Sequence, residues 1–246
     1  MIKKFLEFKE DNFEPIKSFY LHDELSTDVW TDFVIDENIR EELVKIGKDF
    51  FDSLELKVDI KDIILTGSLC NYNYSKYSDF DVHIIIDYNE VNDDTEIVEK
   101  YLGYAKKLWV MEHNILIKNY DVEVYCQNIH EVHIANGQFS LLNDKWIKKP
   151  SKENFKPDEQ LIREKAEIIM EIIDDIEKMF NSGKTYDELL PKIKVIWKKI
   201  KDNRKAGLEK DGELSTENLV FKLLRRNGYI EKLLDIKVKL YDQQFN

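Results

Sequence analysis

The hydrophobic period of this chain changes across the segment KKPSKENFKPDEQ at 148–160, and that change limits the fold more than any other feature. Before it, apolar runs with strand character alternate with apolar residues spaced for helices. After it, only helical spacing occurs. A chain of 246 residues patterned this way divides into a mixed α/β part and an all-helical part. The two prolines and the polar residues of the segment set the boundary, giving domains 1–150 and 151–246.

In the first part, IDENIREELVKIGKDFFDSLEL reads as a helix with Ile39, Leu43, Ile46 and Phe50 on one face. IKDIILTG reads as a short buried strand ending at Gly67, and Asp81 to Tyr88 as a second. Residues 93–116 read as a helix from the spacing of Ile97, Tyr101, Ala105 and Leu108. DVEVYCQN at 121–128 alternates as a third strand, and a turn near Asn136-Gly137 precedes one more. In the second part, Ile162, Ala166, Ile169, Ile173, Ile176 and Phe180 form a bundle-facing stripe. Thr185 with Glu188 resembles a capping box, and Leu189, Ile193, Ile196 and Ile200 continue inward beside an awkward Pro191. A last helix, capped at Ser215 or Thr216, turns Leu219, Leu223, Ile230, Leu234 and Val238 inward, with Gly228 weakening its middle.

Composition narrows the function classes. The net charge of −12 disfavours broad DNA binding, which draws its affinity from phosphate attraction. Cys70 and Cys126 are too few for a disulfide framework and lack zinc spacing, so both read as reduced thiols. No run of 18 apolar residues exists to span a membrane. The start, MIKKFLEFKEDNFEP, lacks the apolar core of a signal peptide, and the expectation is a cytoplasmic protein.

The stretch ILTGSLCNYNYSKYSDFDVHIIID at 64–87 carries the chemistry. A strand has a side-chain period of two, so Asp79 and Asp81 share a face. Two carboxylates that close repel unless a cation sits between them. Oxygen ligands in this arrangement suit Mg²⁺ or Mn²⁺. Asp121 and Glu123 offer a further acid on the third strand, and if the strands are neighbours the carboxylates converge into a site for two metal ions and a triphosphate. Gly67 lets the backbone approach a ligand closely, and Ser68 opens a turn whose N–H groups and hydroxyl suit phosphate oxygens. Taken singly, Gly67 is a turn glycine and the aspartates begin a strand at the surface. Taken in order, they read as a nucleotide–metal site.

Gly67-Ser68, ten residues, then Asp79-Phe80-Asp81-Val82 resembles the signature of the polymerase β-like nucleotidyltransferase superfamily, over about residues 36–128. The overall layout, with its KAGLEKDGELSTENLVFKLLRRNGY tail, is similar to uncharacterised nucleotidyltransferase-like proteins of tailed phages. The resemblance implies an α/β (α+β) catalytic domain with a small mixed sheet and an appended helical bundle. It implies Mg²⁺ (or Mn²⁺) held by Asp79, Asp81 and a third acid, which is Glu123 or Asp121, with Glu123 slightly favoured. It implies a nucleoside triphosphate donor, expected to be ATP, whose monophosphate passes to a hydroxyl of a protein, an RNA, a nucleotide or a small molecule. Gly67 and Ser68 would hold the leaving phosphates. Rival readings are a non-catalytic nucleotide- or protein-binding module on the same fold, and a nuclease using the same acids.

Other signals weigh less. SGKT at 182–185 echoes a P-loop, but Lys178 stands where the first glycine belongs. His130 and His133 lack a third metal ligand nearby. His83 shares the face of Asp81. Tyr72, Tyr74 and Tyr77 suit base stacking or loop packing equally. The basic cluster Lys198, Lys199, Lys201, Arg204, Lys205, Arg225 and Arg226 reads mainly as a solvated helix face, with Lys205 and Arg225 as candidates for a phosphate contact.

Overall fold

A computed structural model describes residues 14–132 and 135–245. The chain is a mixed α+β protein that separates into two compact units. One is Leu21–Asn154. The other gathers Phe155–Asn246 with the described residues up to Tyr20. The sequence pattern assigns those early residues to the domain 1–150. They lie instead with the helices, because a 3₁₀ turn at Glu14–Phe19 buries Ile16 and Phe19 in the helical core. Most of the opening segment MIKKFLEFKEDNFEP lies outside the described residues.

The α/β unit begins with a hairpin of β1 (Trp30–Thr31) and β2 (Val34–Ile35). Helix α1 (Glu37–Ser53) comes next, capped by the Asp36 carboxylate, which accepts from the Asn38 and Ile39 backbone N–H groups. Then come β3 (Asp62–Thr66), β4 (Asp79–Ile86), the short α2 (Tyr88–Val91) and α3 (Thr95–Glu112). Strands β5 (Leu116–Ile117), β6 (Tyr120–Asn128), β7 (Gln138–Ser140) and β8 (Lys145–Lys148) complete the unit.

Six strands form one sheet in the order β5-β6-β4-β3-β7-β8. Every pairing in it is antiparallel except β4 with β6, which is parallel. A parallel pair needs a crossover, and α2 and α3 supply it. Phe80, Val82, Ile84 and Ile86 of β4 are all fully buried, and with Ile63, Leu65 and Val124 they form the apolar side of the sheet. Helix α1 approaches this side closely at Gly47, where an added Cβ would meet two Ile63 side-chain carbons at 3.4 Å.

Helix α3 forms where the spacing places it, and only part of its apolar set turns inward. Val98 and Leu102 are its buried residues, with Ala105 and Trp109 packed against the core. Ile97, Tyr101 and Leu108 are exposed. The apolar residues of this helix occupy more than one face, and spacing alone does not say which one the sheet takes.

In the helical unit, α4 (Glu159–Asn181), α5 (Tyr186–Asp211), α6 (Thr216–Arg226) and α7 (Tyr229–Asp242) pack around one apolar core. Ile162, Ala166, Ile169, Ile173 and Ile176 of α4 are buried, with Phe180 packed beside them. The Thr185–Glu188 capping box opens α5, so the SGKT segment is the link between two helices. Pro191 lies inside α5, removing one backbone bond beyond the first turn. The predicted last helix is two helices. Gly228 takes the left-handed conformation with φ 72° and ends one run before the next. The break rotates α7 relative to the helical phase of α6, so Leu233, Ile236 and Leu240 are buried while Leu234 and Val238 are exposed.

Candidate functional site

The register of β4 and β6 builds the site. Asp79 lies opposite Asp121, Asp81 opposite Glu123 and His83 opposite Tyr125. In a parallel in-register pair these side chains all project to one face of the sheet, the face opposite the apolar side. One carboxylate oxygen from each of Asp79, Asp81 and Glu123 lies within 4.8 Å of the other two. All three residues are partly buried. Asp121 is exposed, at the end of β6 where β5 pairs, and stands outside the cluster. The donor set contains only carboxylate oxygens, which suits a hard divalent cation such as Mg²⁺ or Mn²⁺.

Gly67 forms the floor beside Asp81. Its backbone has φ 78° and ψ −160°, a region that only glycine occupies without strain. A Cβ there would lie 1.9 Å from Asp81 Oδ2. The turn continues as a short 3₁₀ segment, Ser68–Cys70. It is held from behind: the Trp30 indole N–H donates to Leu69 O at 2.7 Å, and the buried Thr66 hydroxyl donates to Gly137 O at 3.0 Å. The Cys70 thiol is held well above its usual pKa, first by burial and then by the Asp81 carboxylate.

Two residues that the sequence pattern does not single out take part. Ser78, just before Asp79, receives a hydrogen bond from the Ser68 hydroxyl at 2.7 Å and one from the Ser75 backbone N–H at 2.9 Å. These bonds tie the start of the Gly-Ser turn to the end of the loop, next to the acid pair. The spacing S-x-x-S before D-F-D is the sequence signal for this clamp. Lys106 of α3 reaches the edge of β6 and donates to Glu123 Oε2 at 2.8 Å, with its ammonium 4.5 Å from the centre of the Tyr125 ring. Nothing local in the sequence marks Lys106, because its partner lies on a strand reached only through the crossover.

His83 is buried and both of its ring nitrogens are engaged. Nδ1 lies 2.6 Å from Gln127 Oε1, and Nε2 lies 2.5 Å from the Tyr125 hydroxyl. With Gln127 Oε1 as acceptor, Nδ1–H donates and the Tyr125 O–H donates to Nε2. Burial, with help from Asp81 and Glu123, holds the Tyr125 phenol above its ordinary pKa. A polar row therefore runs from the acid cluster through Tyr125 and His83 to Gln127.

The loop tyrosines pack inward: Tyr72 and Tyr74 lie against the core, and Tyr74 stacks on His22 with centroids 3.9 Å apart. Tyr77 lies under the Lys76 ammonium. His130 pairs with Asp87 at 3.5 Å, and His133 lies outside the described residues. Lys205 and Arg225 belong to the helical unit. Lys205 is exposed 3.8 Å from Glu209 on its own helix, and Arg225 is exposed on α6. Other members of the basic cluster have structural partners. Arg204 lies over the Phe221 ring and donates to Asn218 Oδ1, while Arg226 lies over Phe19 and donates to the Ser18 hydroxyl.

Among the described residues, no helix is long and apolar enough to cross a membrane. No protein-family model, no curated protein and no solved structure matches this chain.

Proposed function

We propose that the chain is a polymerase β-like nucleotidyltransferase, which moves a nucleoside monophosphate from a nucleoside triphosphate, ATP in the first instance, to a hydroxyl acceptor. The observation that carries this reading is the convergence of Asp79, Asp81 and Glu123 carboxylate oxygens within 4.8 Å beside the Gly67-Ser68 turn. The Gly-Ser pair followed after ten residues by Asp-Phe-Asp supports the same family.

Asp79, Asp81 and Glu123 would hold the metal. Bound Mg²⁺ would supply charge neutralisation for the triphosphate and Lewis acidity toward the α-phosphate. The chain's own residues do the rest. The Gly67-Ser68 turn offers backbone N–H groups to the leaving phosphates, and the Ser68 hydroxyl would exchange its bond to Ser78 for one to a phosphate oxygen. The acceptor oxygen bonds to the α-phosphorus as the bond from that phosphorus to the β-bridging oxygen breaks, releasing pyrophosphate. Glu123 receives the hydroxyl proton.

The test is incubation with each α-labelled nucleoside triphosphate, Mg²⁺ or Mn²⁺, and fractionated protein, RNA and small-molecule acceptors. Expected are transfer of label to one acceptor fraction and stoichiometric pyrophosphate, both abolished by EDTA. Absence of label and pyrophosphate with every donor and acceptor fraction would overturn the reading.

A further inference from the structure

Helix α3 carries an apolar stripe that its own domain does not cover. Ile97, Tyr101, Tyr104, Leu108 and Met111 are 57, 46, 65, 59 and 82 % exposed. Their spacing is 4, 3, 4, 3, the seam of a two-helix coiled coil rather than scattered surface residues. The residues of α3 that pack against the domain core are Val98, Leu102, Ala105 and Trp109. At 3.6 residues per turn they point about 100° around the helix from the stripe, so the domain lies beside the stripe and not across it. At about 200 Å² for a large side chain, the exposed fractions amount to on the order of 600 Å² per copy. That is at the top of the range for a patch on a monomer and near the ~800 Å² that each partner contributes to a standard interface.

We propose that this stripe docks against the same stripe of a second copy of the chain, with the two α3 helices parallel. Charge fixes both the partner and the direction. With Tyr101 and Leu108 at a, and Ile97, Tyr104 and Met111 at d, Lys100 and Lys107 fall at g and Glu112 at e. In a parallel pair the g residue faces the e residue five positions on in the other helix, so Lys107 of each copy meets Glu112 of the other. Two-fold symmetry makes that pair twice. An antiparallel pair would instead set Lys100 beside Lys107 of the other copy, also twice, and like charges repel there. The Tyr101 hydroxyl donates to Leu54 O at 3.2 Å, which fixes that ring at the border of the seam. The inference rests on α3 alone and is independent of the function proposed above.

The test combines mass in solution with cysteine cross-linking. The unmodified chain should scatter light as a dimer at tens of micromolar, and Leu108→Glu, at an exposed position, should scatter as a monomer with unchanged far-UV circular dichroism. Met111→Cys should form a disulfide-linked dimer under mild oxidation, because only parallel helices bring that position against its own copy. Val110→Cys, on the far flank, should not. Cys70 and Cys126 are buried and do not compete. A monomeric native chain, a dimer unaffected by Leu108→Glu, or Tyr104→Cys cross-linking where Met111→Cys does not would each overturn the arrangement.

Discussion

Gly67 and Asp81 occupy space that excludes any side chain at position 67: a Cβ there would sit 1.9 Å from Asp81 Oδ2. The positive φ of 78° adds backbone strain to any replacement. Gly67→Ala should therefore lose about 1–3 kcal/mol of stability and displace the Asp81 carboxylate. Urea unfolding reads the first effect, and Mg²⁺-dependent thermal stabilisation by ATP reads the second. A stable variant with the wild-type Mg²⁺–ATP response would contradict the close packing of turn and acid.

The acids should separate by role. Asp81→Asn keeps the volume and removes charge from a crowded trio, so transfer should fall below detection while Tm stays level or rises. Glu123→Gln should cost at least ~100-fold in rate, the lower end for a positioned proton acceptor. Asp121→Asn should change little, since Asp121 is exposed and outside the cluster. Steady-state rates of the three variants decide the matter, and a dead Asp121→Asn beside a normal Glu123→Gln would exchange the assignments.

Lys106 and a divalent cation compete for one carboxylate. Lys106→Met removes the 2.8 Å partner of Glu123. Both side chains are partly exposed, so the loss without metal should not exceed about 1 kcal/mol after solvent screening. The gain in Tm on adding Mg²⁺ with ATP should be larger than in the native chain. A smaller gain would mean that Lys106 helps to hold the ligand instead of standing in for the cation.

The capping box of α5 should give a pH signature in the helical unit. The Lys184 ammonium, and then the Thr185 backbone N–H, hold the Glu188 carboxyl down at about 2, against an ordinary 4.5. A group depressed in the folded state contributes stability above its unfolded pKa and loses it as pH falls through the folded one. Native protein should thus be more stable than Glu188→Gln at pH 7, and the gap should close between pH 4.5 and 2. Paired melting curves across that range check it, and a gap independent of pH would refute the ion-pair contribution.

Neither cysteine should react in the folded protein. Burial pushes the Cys126 thiol up to about 12, and Cys70 is held well above its usual value. Iodoacetamide under mildly alkaline conditions should modify neither until urea unfolds the chain, as mass spectrometry would show. Rapid alkylation of the native protein would indicate that this part of the sheet opens easily.

How much of the molecule is legible in its sequence depends on the range of the interactions involved. Strand β6 announces itself by local alternation and β3 and β4 by short apolar runs, and Asp79 and Asp81 share a face by the period of two. The Glu123 position is legible only in part, since its residue type is visible but its register with Asp81 is set by the crossover. Lys106 is invisible to local reasoning, because a lysine on a helix has no mark of a partner on a strand. The β1–β2 hairpin escapes because its turn is Asp32-Phe33, both at positive φ, where the usual signal is Asn-Gly. Spacing marks α3 as a helix but does not say which face turns inward, because its apolar residues lie on more than one side. Gly228 has the sequence mark of a weak point in one helix, and its left-handed backbone makes it a break between two.

The one parallel pairing in the sheet also bears on how the acid cluster comes into being. Neighbouring antiparallel strands can zip together locally, but β6 reaches β4 only after α2 and α3 have been threaded across the sheet, a contact of high sequence separation and therefore slow to close. On that ground Glu123 should join Asp79 and Asp81 late in folding. Loosening that crossover from a distance, for instance at the edge-on contact of Phe50 with Trp109, would disperse the cluster without altering any of its members.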